Sequence, residues 1–446
     1  MLDIKEIYEI FKTCPRITID SRHCPKDSIF VALRGDNTDG NLFAAKALEN
    51  GSRYAIVDRK EIAVDDRYIV VDDTLTTLQD LARYHRTQMK AKIIAITGTN
   101  GKTTTKELIA QVLSQKYDTL YTEKNYNNHI GVPLTLLRLD KSHRFGVVEM
   151  GANHKGEIAQ LCSIVQPDFG LVTNFGRAHI EGFGSFEGVV EAKTELFDYI
   201  REHKGRVFVN IGNELMVRQS QGIGNISYAI NSDKADVSGY VSQQDPCITI
   251  SWASQRFSVT AQTVKTNIVG GYNAENILAA IVVGLFFEVD PQSIDIALSK
   301  YIPKNHRSQY MKTDRNELIV DAYNANPSSM EAAIRNFASL QYPHKTLILG
   351  DMLELGAASA EGHRSVGRTA AAEGFAVVIT YGDEARRIYE AAAAAGCLCR
   401  HAATHEEAAN LLRGMLADGD TVLFKGSRGM RMEHIMELAA GEGAIH

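Results

Sequence analysis

The sequence has no excess of positive charge, no apolar run of membrane length and no metal-binding cysteine spacing. Its 446 residues include 48 Lys and Arg against 54 Asp and Glu, a net charge of −6. Nucleic-acid-binding surfaces require a basic excess, so no nucleic acid is expected as a partner. No stretch approaches the ~18 apolar residues of a membrane span. Residues 1–5 also lack the apolar run of a signal peptide.

The six cysteines are scattered along the chain, without a CxxC pair or a Cys/His zinc spacing. Free, reduced thiols are typical of the cytoplasm, where we expect this protein to work. The length allows roughly three domains. A hydrophobic content of 44% is ordinary for globular proteins and permits several cores.

Periodicity divides the chain into three α/β units, which we place at residues 1–90, 91–303 and 304–446. The first unit has strand-like runs at 28–33, 54–57 and 68–71, followed by a helical pattern at 75–89. In the second unit, apolar runs at 93–96, 145–148, 169–172 and 207–211 alternate with helical patterns. This alternation predicts a mostly parallel sheet.

Short alternating runs from 225 to about 263 predict antiparallel hairpins attached to that parallel sheet, and a helix at 274–287 closes the second unit. In the third unit, strand candidates at 318–320, 346–349, 376–379 and 422–424 each precede a helix-compatible segment. The third unit is therefore predicted to be doubly wound, with a Rossmann-like fold.

A phosphate-binding loop is the clearest chemical signal. The buried-strand run at 93–97 leads into GTNGKTTT at 98–105 and then into a helical stretch. Strand, glycine loop and helix N-terminus together make a P-loop, in which backbone N–H groups surround phosphates. Lys102 is expected to neutralise the β- and γ-phosphates, and Thr103 to place its hydroxyl on Mg²⁺. The loop residues expected to bind ATP are Gly98, Thr99, Asn100, Gly101, Lys102, Thr103 and Thr104.

The loop also departs from the usual spacing, because Ile96 stands where the first glycine of a Walker motif would be. The alternative is an ordinary glycine-rich turn between a strand and a helix, with a solvated Lys102.

A series of further blocks, taken with the loop, resembles the Mur ligase family, to which folylpolyglutamate synthases are related. The blocks span nearly the whole chain, which makes the resemblance far more specific than a lone P-loop. They are DSR (20–22), IFVALRG (29–35), DG (39–40), TGTNGKTT (97–104), NYNNHIGVPLT (125–135), EMGAN (149–153), AHIEGFG (178–184), DAYNANP (321–327), GDMLELG (350–356) and KGSR (425–428).

The resemblance implies an ATP-dependent ligase that forms an amide bond through an acyl phosphate, releasing ADP and phosphate. It implies UDP-N-acetylmuramoyl-tripeptide, D-alanyl-D-alanine and ATP as substrates, and a monomeric chain. Residues 1–90 would bind the UDP-muramoyl peptide and residues 91–303 would bind ATP. Residues 304–446 would receive the dipeptide and close over ATP.

The resemblance also implies a metal site with two Mg²⁺ ions, formed by Thr103, Glu149, His179 and Lys193, with Lys193 carbamylated. Carbamylation turns an ammonium into a carboxylate-like ligand, which a site crowded with cations favours. Each side chain has a plainer alternative: Glu149 as a surface group at a strand end, His179 as a satisfied structural group, and Lys193 as a surface partner of Glu191 or Glu195.

Other roles follow from the same resemblance. Asn273 and Asn276 would surround adenine; the alternative for Asn273 is a helix N-cap. Arg307 would contact the ATP phosphates, Asp321 would bind ribose hydroxyls, and Asn326 would also contact ATP. The expected catalytic set is Lys102, Glu149, His179, Lys193 and Arg307.

Substrate contacts fall into two groups. The UDP-muramoyl peptide would contact Ser21, Arg22, Arg34, Gly35, Asn127 and Asn128. The dipeptide carboxylate would be bound by Lys425, Ser427 and Arg428, unless these residues form an ordinary loop.

Two other functions remain open from the sequence. One is a different ligase of the same family, including folylpolyglutamate synthase. The other is a non-catalytic ATP-binding regulator, which would need the P-loop but neither His179 nor Lys193.

Overall fold

Three α/β units follow one another in a computed structural model that describes residues 2–35, 37–176, 180–304 and 306–440. The first unit consists of α1 (Ile4–Thr13), β1 (Ile17–Thr18), β2 (Ser28–Val31), β3 (Arg34–Gly35), β4 (Thr38–Asp39), α2 (Ala44–Glu49), β5 (Ser52–Val57), β6 (Tyr68–Val70) and α3 (Thr74–Gln88). Strands β1, β2, β5 and β6 form a parallel sheet in that order, and β3 and β4 form a small hairpin. The strands and the helix predicted here are confirmed.

The second unit is the largest and carries the P-loop. Its first half contains β7 (Lys92–Thr97), α4 (Lys102–Leu113), β8 (Thr119–Tyr121), α5 (Gly131–Leu136), β9 (Phe145–Glu149), α6 (Glu157–Val165), β10 (Phe169–Val172), α7 (Ile180–Phe183) and α8 (Phe186–Glu202). Its second half contains β11 (Arg206–Asn210), α9 (Glu214–Gln219), β12 (Gly224–Ile230), β13 (Val237–Gln244), β14 (Cys247–Ser254), β15 (Val259–Val269), α10 (Ala274–Phe286) and α11 (Pro291–Lys300).

The nine strands of this unit form one sheet in the order β15-β14-β13-β12-β11-β10-β7-β9-β8. Strand β7 pairs in parallel with β10 on one side and with β9 on the other. The strand order therefore reverses beside β7, and in open α/β sheets ligands bind at the carboxyl ends of the strands at such a point. The P-loop, which follows β7, lies at this position.

Two details of the second unit differ from the sequence prediction. Strand β12 pairs in parallel with both β11 and β13, so the antiparallel part begins only at β13. The centre of β12 is buried, as at Ile226 and Tyr228, which suits a strand inside the parallel sheet better than a solvated hairpin. Helix α11 also follows α10, so α10 is not the helix that closes the unit, although α11 still lies within the predicted range 91–303.

The third unit has the predicted doubly wound fold. It consists of β16 (Gln309–Lys312), β17 (Glu317–Asp321), α12 (Pro327–Ser339), β18 (Lys345–Gly350), α13 (Ser359–Ala372), β19 (Val377–Tyr381), α14 (Arg386–Ala394), β20 (Leu398–Ala402), α15 (His405–Met415), β21 (Thr421–Lys425) and α16 (Met432–Ala440). The sheet order is β16-β17-β21-β18-β19-β20, and within residues 306–440 only the β16–β17 pair is antiparallel. The four predicted strands are confirmed, whereas β16 and β20 were not predicted.

Among the helices of the described ranges, none has both the length and the apolar character needed to cross a bilayer. All six cysteines are free thiols.

Candidate active site

A cavity of about 500 Å³ lies between the second and third units. It is lined by the P-loop and by side chains that follow β9, β15, β17 and β21. The predicted site residues on its wall are Thr99, Asn100, Gly101, Lys102, Thr103, Thr104, Asn127, Glu149, Asn273, Asn276, Arg307, Asp321 and Lys425. The fold therefore brings most of the predicted nucleotide and metal residues together.

The P-loop depends on its two glycines. Gly98 has φ +143°, and a Cβ there would lie 2.0 Å from Thr173 Oγ1. Gly101 has φ +78°, and a Cβ there would lie 2.7 Å from Asn276 Oδ1. Any other residue would therefore clash and be strained at both positions. Gly101 precedes α4, and no side chain of the described residues caps this helix, whose first residues line the cavity, so its first N–H groups are available to an anion there.

Residues after β10 hold the loop in place, and they were not among the predicted site residues. Asn174 Oδ1 accepts a hydrogen bond from the Asn100 backbone N–H at 3.0 Å, and Thr173 Oγ1 donates to the Asn100 carbonyl at 2.6 Å. Thr99 N–H donates to the Asn174 carbonyl at 3.0 Å. The signal was available, because polar residues directly after a strand that neighbours β7 must lie at the same sheet edge.

Lys102 lies folded back over the loop. Its Nζ donates to the carbonyls of Gly98 and Thr99, at 2.8 and 3.1 Å. Burial lowers the pKa of Lys102, the nearby Arg307 lowers it further, and the carboxylate of Glu149 opposes both. A bound polyphosphate would relieve the repulsion between the two cations.

Glu149 ends β9 and is 2% exposed, so it is not a surface group at a strand end. Its Oε1 accepts hydrogen bonds from Thr103 Oγ1 at 3.2 Å and from Asn127 Nδ2 at 2.8 Å. Its Oε2 is buried and has no hydrogen-bond partner among the described residues. A buried carboxylate oxygen without a donor is costly unless a cation binds it.

Lys193 lies on α8 and is 3% exposed, with its Nζ 5.4 Å from the centre of the Phe183 ring. Its pKa falls to about 7, first because of burial and second because of the Lys102 ammonium. The surface ion pair considered from the sequence is absent within the described residues. Glu191 pairs with Lys155, and Glu195 accepts from the backbone N–H groups of Gly156 and Ala159. The surface alternative for Lys193 is therefore wrong.

His179 lies outside the described residues. Within the described ranges, no three His, Cys, Asp or Glu side chains form a metal-binding cluster. Of the predicted metal ligands, Thr103 and Glu149 are hydrogen-bonded to each other. Lys193 lies close enough to Lys102 for that positive charge to lower the pKa of Lys193.

Asn273 and Asn276 form a polar network at the start of α10. Asn276 Nδ2 donates to Asn273 Oδ1 at 2.8 Å, and Asn276 Oδ1 accepts from Thr105 Oγ1 at 3.0 Å. Asn273 Nδ2 donates to the Val269 carbonyl and to Ser308 Oγ, at 2.9 and 3.1 Å. Asn273 occupies the N-cap position, but among the described residues its side chain makes no capping bond, so the cap alternative is wrong.

Lys425 and Asp321 form a buried ion pair on the wall of the cavity, with Nζ 2.6 Å from Oδ2. The two residues are register partners on β21 and β17. Asp321 Oδ1 also accepts from the Ser308 N–H at 3.2 Å. Lys425 is therefore not part of an ordinary loop, because it ends β21 and its charge is paired with Asp321 on the cavity wall.

The other two residues predicted to bind the dipeptide differ from each other. Ser427 is buried, and its Oγ accepts from the Leu353 N–H at 2.9 Å, so it holds the loop after β18. Arg428 is exposed, with its Cζ 4.8 Å from the centre of the Tyr323 ring. Arg307 lies over the same ring at 3.5 Å. Tyr323 thus joins the two predicted substrate-binding arginines, and the sequence analysis gave it no role.

Asn326 has a structural role at the boundary between units. Its side chain caps α12 in a reciprocal capping box with Ser329, and its Nδ2 donates to Asn100 Oδ1 at 2.8 Å. Asn100 Nδ2 also donates to Ser328 Oγ at 3.2 Å. Asn326 was predicted to contact ATP, but it is not among the described residues that line the cavity. Its side chain instead joins the third unit to the P-loop.

The residues predicted to contact the UDP-muramoyl peptide do not lie together at one place. Arg22 pairs with Asp20, and Arg34 pairs with Asp58 at 2.6 Å, both at the surface of the first unit. Asn128 Oδ1 accepts from the N–H groups of Ile130 and Gly131 and so starts α5, a structural role. As far as the described residues define the cavity, its wall does not include Ser21, Arg22, Arg34, Gly35 or Asn128.

The fold and the cavity define a P-loop nucleotide-binding protein with three α/β units. Three family models match the chain in the same order: the Mur ligase family catalytic domain at residues 15–86, the Mur ligase middle domain at 96–284, and the Mur ligase glutamate ligase domain at 306–428. The chain belongs to the Mur ligase family, and it is an ATP-dependent ligase that forms a C–N bond.

The chain is similar to curated members of that family over nearly its whole length. It is 34% identical to UDP-N-acetylmuramoyl-tripeptide–D-alanyl-D-alanine ligase of Bacillus subtilis, covering 94% of this chain and 92% of the relative. It is 33% identical to the ligase of the same name in Escherichia coli, covering 97% and 95%.

Solved structures agree with these relatives. The chain matches MurF from Acinetobacter baumannii with a TM-score of 0.85 and 32% identity, covering 95% of this chain and 93% of that one. It matches the MurF ligase of Thermotoga maritima in complex with ADP with a TM-score of 0.84 and 26% identity, covering 99% and 98%.

Proposed function

We propose that this chain joins D-alanyl-D-alanine to UDP-N-acetylmuramoyl-tripeptide, with ATP cleaved to ADP and phosphate. The observation that carries the proposal is the arrangement in one cavity of the P-loop helix start, the buried carboxylate of Glu149, whose Oε2 has no hydrogen-bond donor among the described residues, and Arg307. Such an arrangement binds a nucleotide triphosphate and brings a second anion to its γ-phosphate. The relatives named above give the proposal its particular substrates.

ATP would lie along the cavity with its phosphates at the start of α4. The backbone N–H groups at the helix start and the ammonium of Lys102 would bind the β- and γ-phosphates. The helix start carries a partial positive charge and Lys102 a full one, and both attract the phosphate oxygens. Arg307, which stacks on Tyr323, keeps the N–H edge of its guanidinium available for the γ-phosphate. Asn273 and Asn276 line the same cavity, where the adenosine would contact them, and Asp321 would face its ribose.

The residues of this site fit Mg²⁺. Glu149 Oε2 is a buried oxygen without a hydrogen-bond donor in the described part of the chain, and Thr103 Oγ1 lies beside the other oxygen of the same carboxylate. Hard oxygen ligands of this kind are those that Mg²⁺ prefers. When bound, the metal supplies neutralisation of the phosphate charge that builds up during transfer.

Lys193 would serve a second Mg²⁺ as a carbamate, together with His179. The proposal rests on its burial and on its depressed pKa of about 7, which leaves much of the amine neutral at physiological pH. A neutral amine is the form that attacks CO₂, forming an N–C bond and releasing one proton. The carbamate would then place a negative charge near Lys102. That charge would stabilise the protonated form of Lys102, which burial and the repulsion from Arg307 disfavour.

The reaction would proceed in two displacements. An oxygen of the tripeptide carboxylate attacks the γ-phosphorus, and the bond between that phosphorus and the oxygen bridging to the β-phosphate breaks. ADP departs, and the tripeptide carboxylate has become an acyl phosphate. The free amine of the dipeptide then attacks the acyl carbon, loses a proton, and inorganic phosphate departs. Lys102 and Arg307 stabilise the negative charge that develops in the first displacement.

The first unit would bind the UDP part of the donor, through the surface that carries Ser21, Arg22, Arg34 and Gly35. Asn127 would act indirectly, since it donates to Glu149 and orients that carboxylate. Arg428 is the exposed cation proposed to bind the dipeptide carboxylate, while Lys425 holds Asp321. We place the reaction in the cytoplasm, a reducing compartment that suits six free cysteines.

An acceptor panel tests the proposal. The purified chain would be incubated with ATP, Mg²⁺, UDP-N-acetylmuramoyl-tripeptide and, in separate reactions, D-alanyl-D-alanine, D-alanine, L-alanine or D-glutamate, with products identified by mass spectrometry. A parallel reaction would contain a folate and L-glutamate. We expect product only with the tripeptide and D-alanyl-D-alanine. A product with a different acceptor would move the chain to another ligase of the family, and no product in any reaction would favour an ATP-binding regulator.

A further inference from the structure

Lys106 is a buried cation that the proposed reaction does not use. It lies one turn after Lys102 on α4, and it is 1% exposed. Its Nζ donates to the Thr122 carbonyl at 2.7 Å. The same Nζ lies 4.0 Å from Glu149 Oε2, the carboxylate oxygen that lacks a hydrogen-bond donor within the described residues.

The surroundings of Lys106 hold its charge next to Glu149. Thr122 is a common anchor, because its Oγ1 also accepts a hydrogen bond from the Glu149 backbone N–H at 3.0 Å. On the other side, Glu107 Oε1 lies 3.5 Å from Lys106 Nζ. Tyr301, just before the connection to the third unit, donates to Glu107 Oε2 at 2.7 Å. Lys106 therefore stands between two carboxylates at 3.5 and 4.0 Å, Glu107 and Glu149.

We propose that Lys106 is an internal counter-ion that competes with the divalent metal for Glu149 and so keeps metal affinity low until nucleotide is bound. This inference rests on the proposed metal role of Glu149. Without nucleotide, the ammonium offsets the buried negative charge of Glu149. When ATP is bound, its phosphates supply further negative charge and oxygen ligands, and the metal then overcomes the repulsion from Lys106.

The inference predicts effects of opposite sign for two neighbouring residues. Replacing Lys106 by methionine keeps much of the side-chain volume and removes the competing charge, so divalent metal should bind more tightly. Replacing Glu107 by glutamine leaves Lys106 with Glu149 as its remaining carboxylate partner, so metal should bind more weakly. A structural role for Lys106 alone would give losses in both variants.

The test measures metal binding directly, without ligation. Mn²⁺, which shares the oxygen preference of Mg²⁺, would be titrated into the full chain with and without ADP, and free Mn²⁺ followed by electron paramagnetic resonance. Without ADP, Lys106→Met should bind Mn²⁺ about ten-fold more tightly than wild type, a size consistent with like charges separated by a few ångströms. Glu107→Gln should bind it several-fold more weakly. With ADP, the difference between Lys106→Met and wild type should shrink.

Two controls separate this inference from general charge and stability effects. Lys116→Met removes an exposed positive charge just beyond α4 and should leave the Mn²⁺ affinity unchanged. Circular dichroism and thermal unfolding identify variants that do not fold. If Lys106→Met is unstable, the predicted weaker binding of Mn²⁺ by Glu107→Gln still tests the inference. Equal Mn²⁺ affinity in wild type and both variants would overturn the inference but leave the metal site intact. Absence of Mn²⁺ binding by wild type even with ADP would overturn the proposed metal site as well.

Discussion

The guanidinium of Arg307 lies over the ring of Tyr323, with its Cζ 3.5 Å from the ring centre. Arg307 enters from the connection between the second and third units, and Tyr323 follows β17. Arg428, from the loop after β21, lies 4.8 Å from the centre of the same ring. One aromatic side chain thus positions the arginine proposed for the γ-phosphate and the arginine proposed for the dipeptide.

Tyr323→Leu should lower kcat/KM for ATP about 3- to 30-fold, because cation–π contacts contribute about 0.5–2 kcal/mol. The leucine removes the ring that orients Arg307 while leaving a side chain of moderate size. Tyr323→Phe is the matched control, since it keeps the ring, and should remain within about two-fold of wild type, as expected if the hydroxyl has no part. Equal losses in both variants would assign the effect to the hydroxyl instead.

Lys102→Ala should abolish most ligation while leaving the fold intact. Removing a charge directed at the transferring phosphate costs several kcal/mol of transition-state stabilisation, a loss of roughly 10³-fold in kcat. Lys116→Ala, an exposed lysine close to the end of the same helix, serves as control. Phosphate release and circular dichroism measure the two properties. A folded Lys102→Ala chain with near-normal turnover would remove the P-loop from the mechanism.

Lys193→Ala should lose most activity, and high formate or acetate should restore part of it by placing a small carboxylate in the gap. Lys193→Arg should stay inactive at any CO₂ level, since a guanidinium stays cationic and does not form the carbamate. Crystallographic density beyond Nζ in a substrate-bound complex would show the modification. An unmodified amine in an active complex would refute it.

The depressed pKa of Lys193 adds a pH dependence to the same proposal. Because burial lowers this pKa to about 7, the amine is mostly protonated below that pH and mostly neutral above it. Enzyme depleted of CO₂ should therefore regain activity faster at about pH 8 than at about pH 6 when both reactions contain the same concentration of dissolved CO₂, since only the neutral amine reacts. A recovery rate that does not change across this range would contradict the assignment.

Arg428→Ala should raise the KM for D-alanyl-D-alanine by far more than the KM for ATP. The reason is that Arg428 is exposed and cationic, whereas Lys425 is neutralised by Asp321 and Ser427 is bound within its loop. Arg364→Ala, an exposed arginine on α13, is the control and should change neither KM. Equal increases in both KM values would move Arg428 away from the acceptor site.

The sequence predicted the parts of the site that depend on neighbouring residues in the chain. The P-loop could be predicted because its strand, glycines and helix are consecutive in the chain. The positive φ angles of Gly98 and Gly101 follow from the tight turn between that strand and that helix. Most strands of the parallel sheets were readable because buried strands are continuous apolar runs. Strands β16 and β20, which lie at the sheet edges and are partly exposed, lack a continuous apolar run and gave too weak a pattern.

Roles that depend on distant residues were not predictable in the same way. Lys425 is paired with Asp321, 104 residues earlier, because β17 and β21 are adjacent in register. Lys106 gains its significance from Thr122 and Glu149, which reach it only after the sheet has formed. Asn326 and Asn128 were recognised as important residue types, but their amides start helices. Sequence blocks identify such residues without distinguishing ligand contacts from supports.

Phosphate release from ATP by the purified chain, with UDP-N-acetylmuramoyl-tripeptide present and with or without D-alanyl-D-alanine, tests most directly whether the chain is this ligase. We expect sustained release only when both substrates are present, with one phosphate for each amide bond formed. Release that is the same with and without D-alanyl-D-alanine, or no release with both substrates and Mg²⁺, would contradict it.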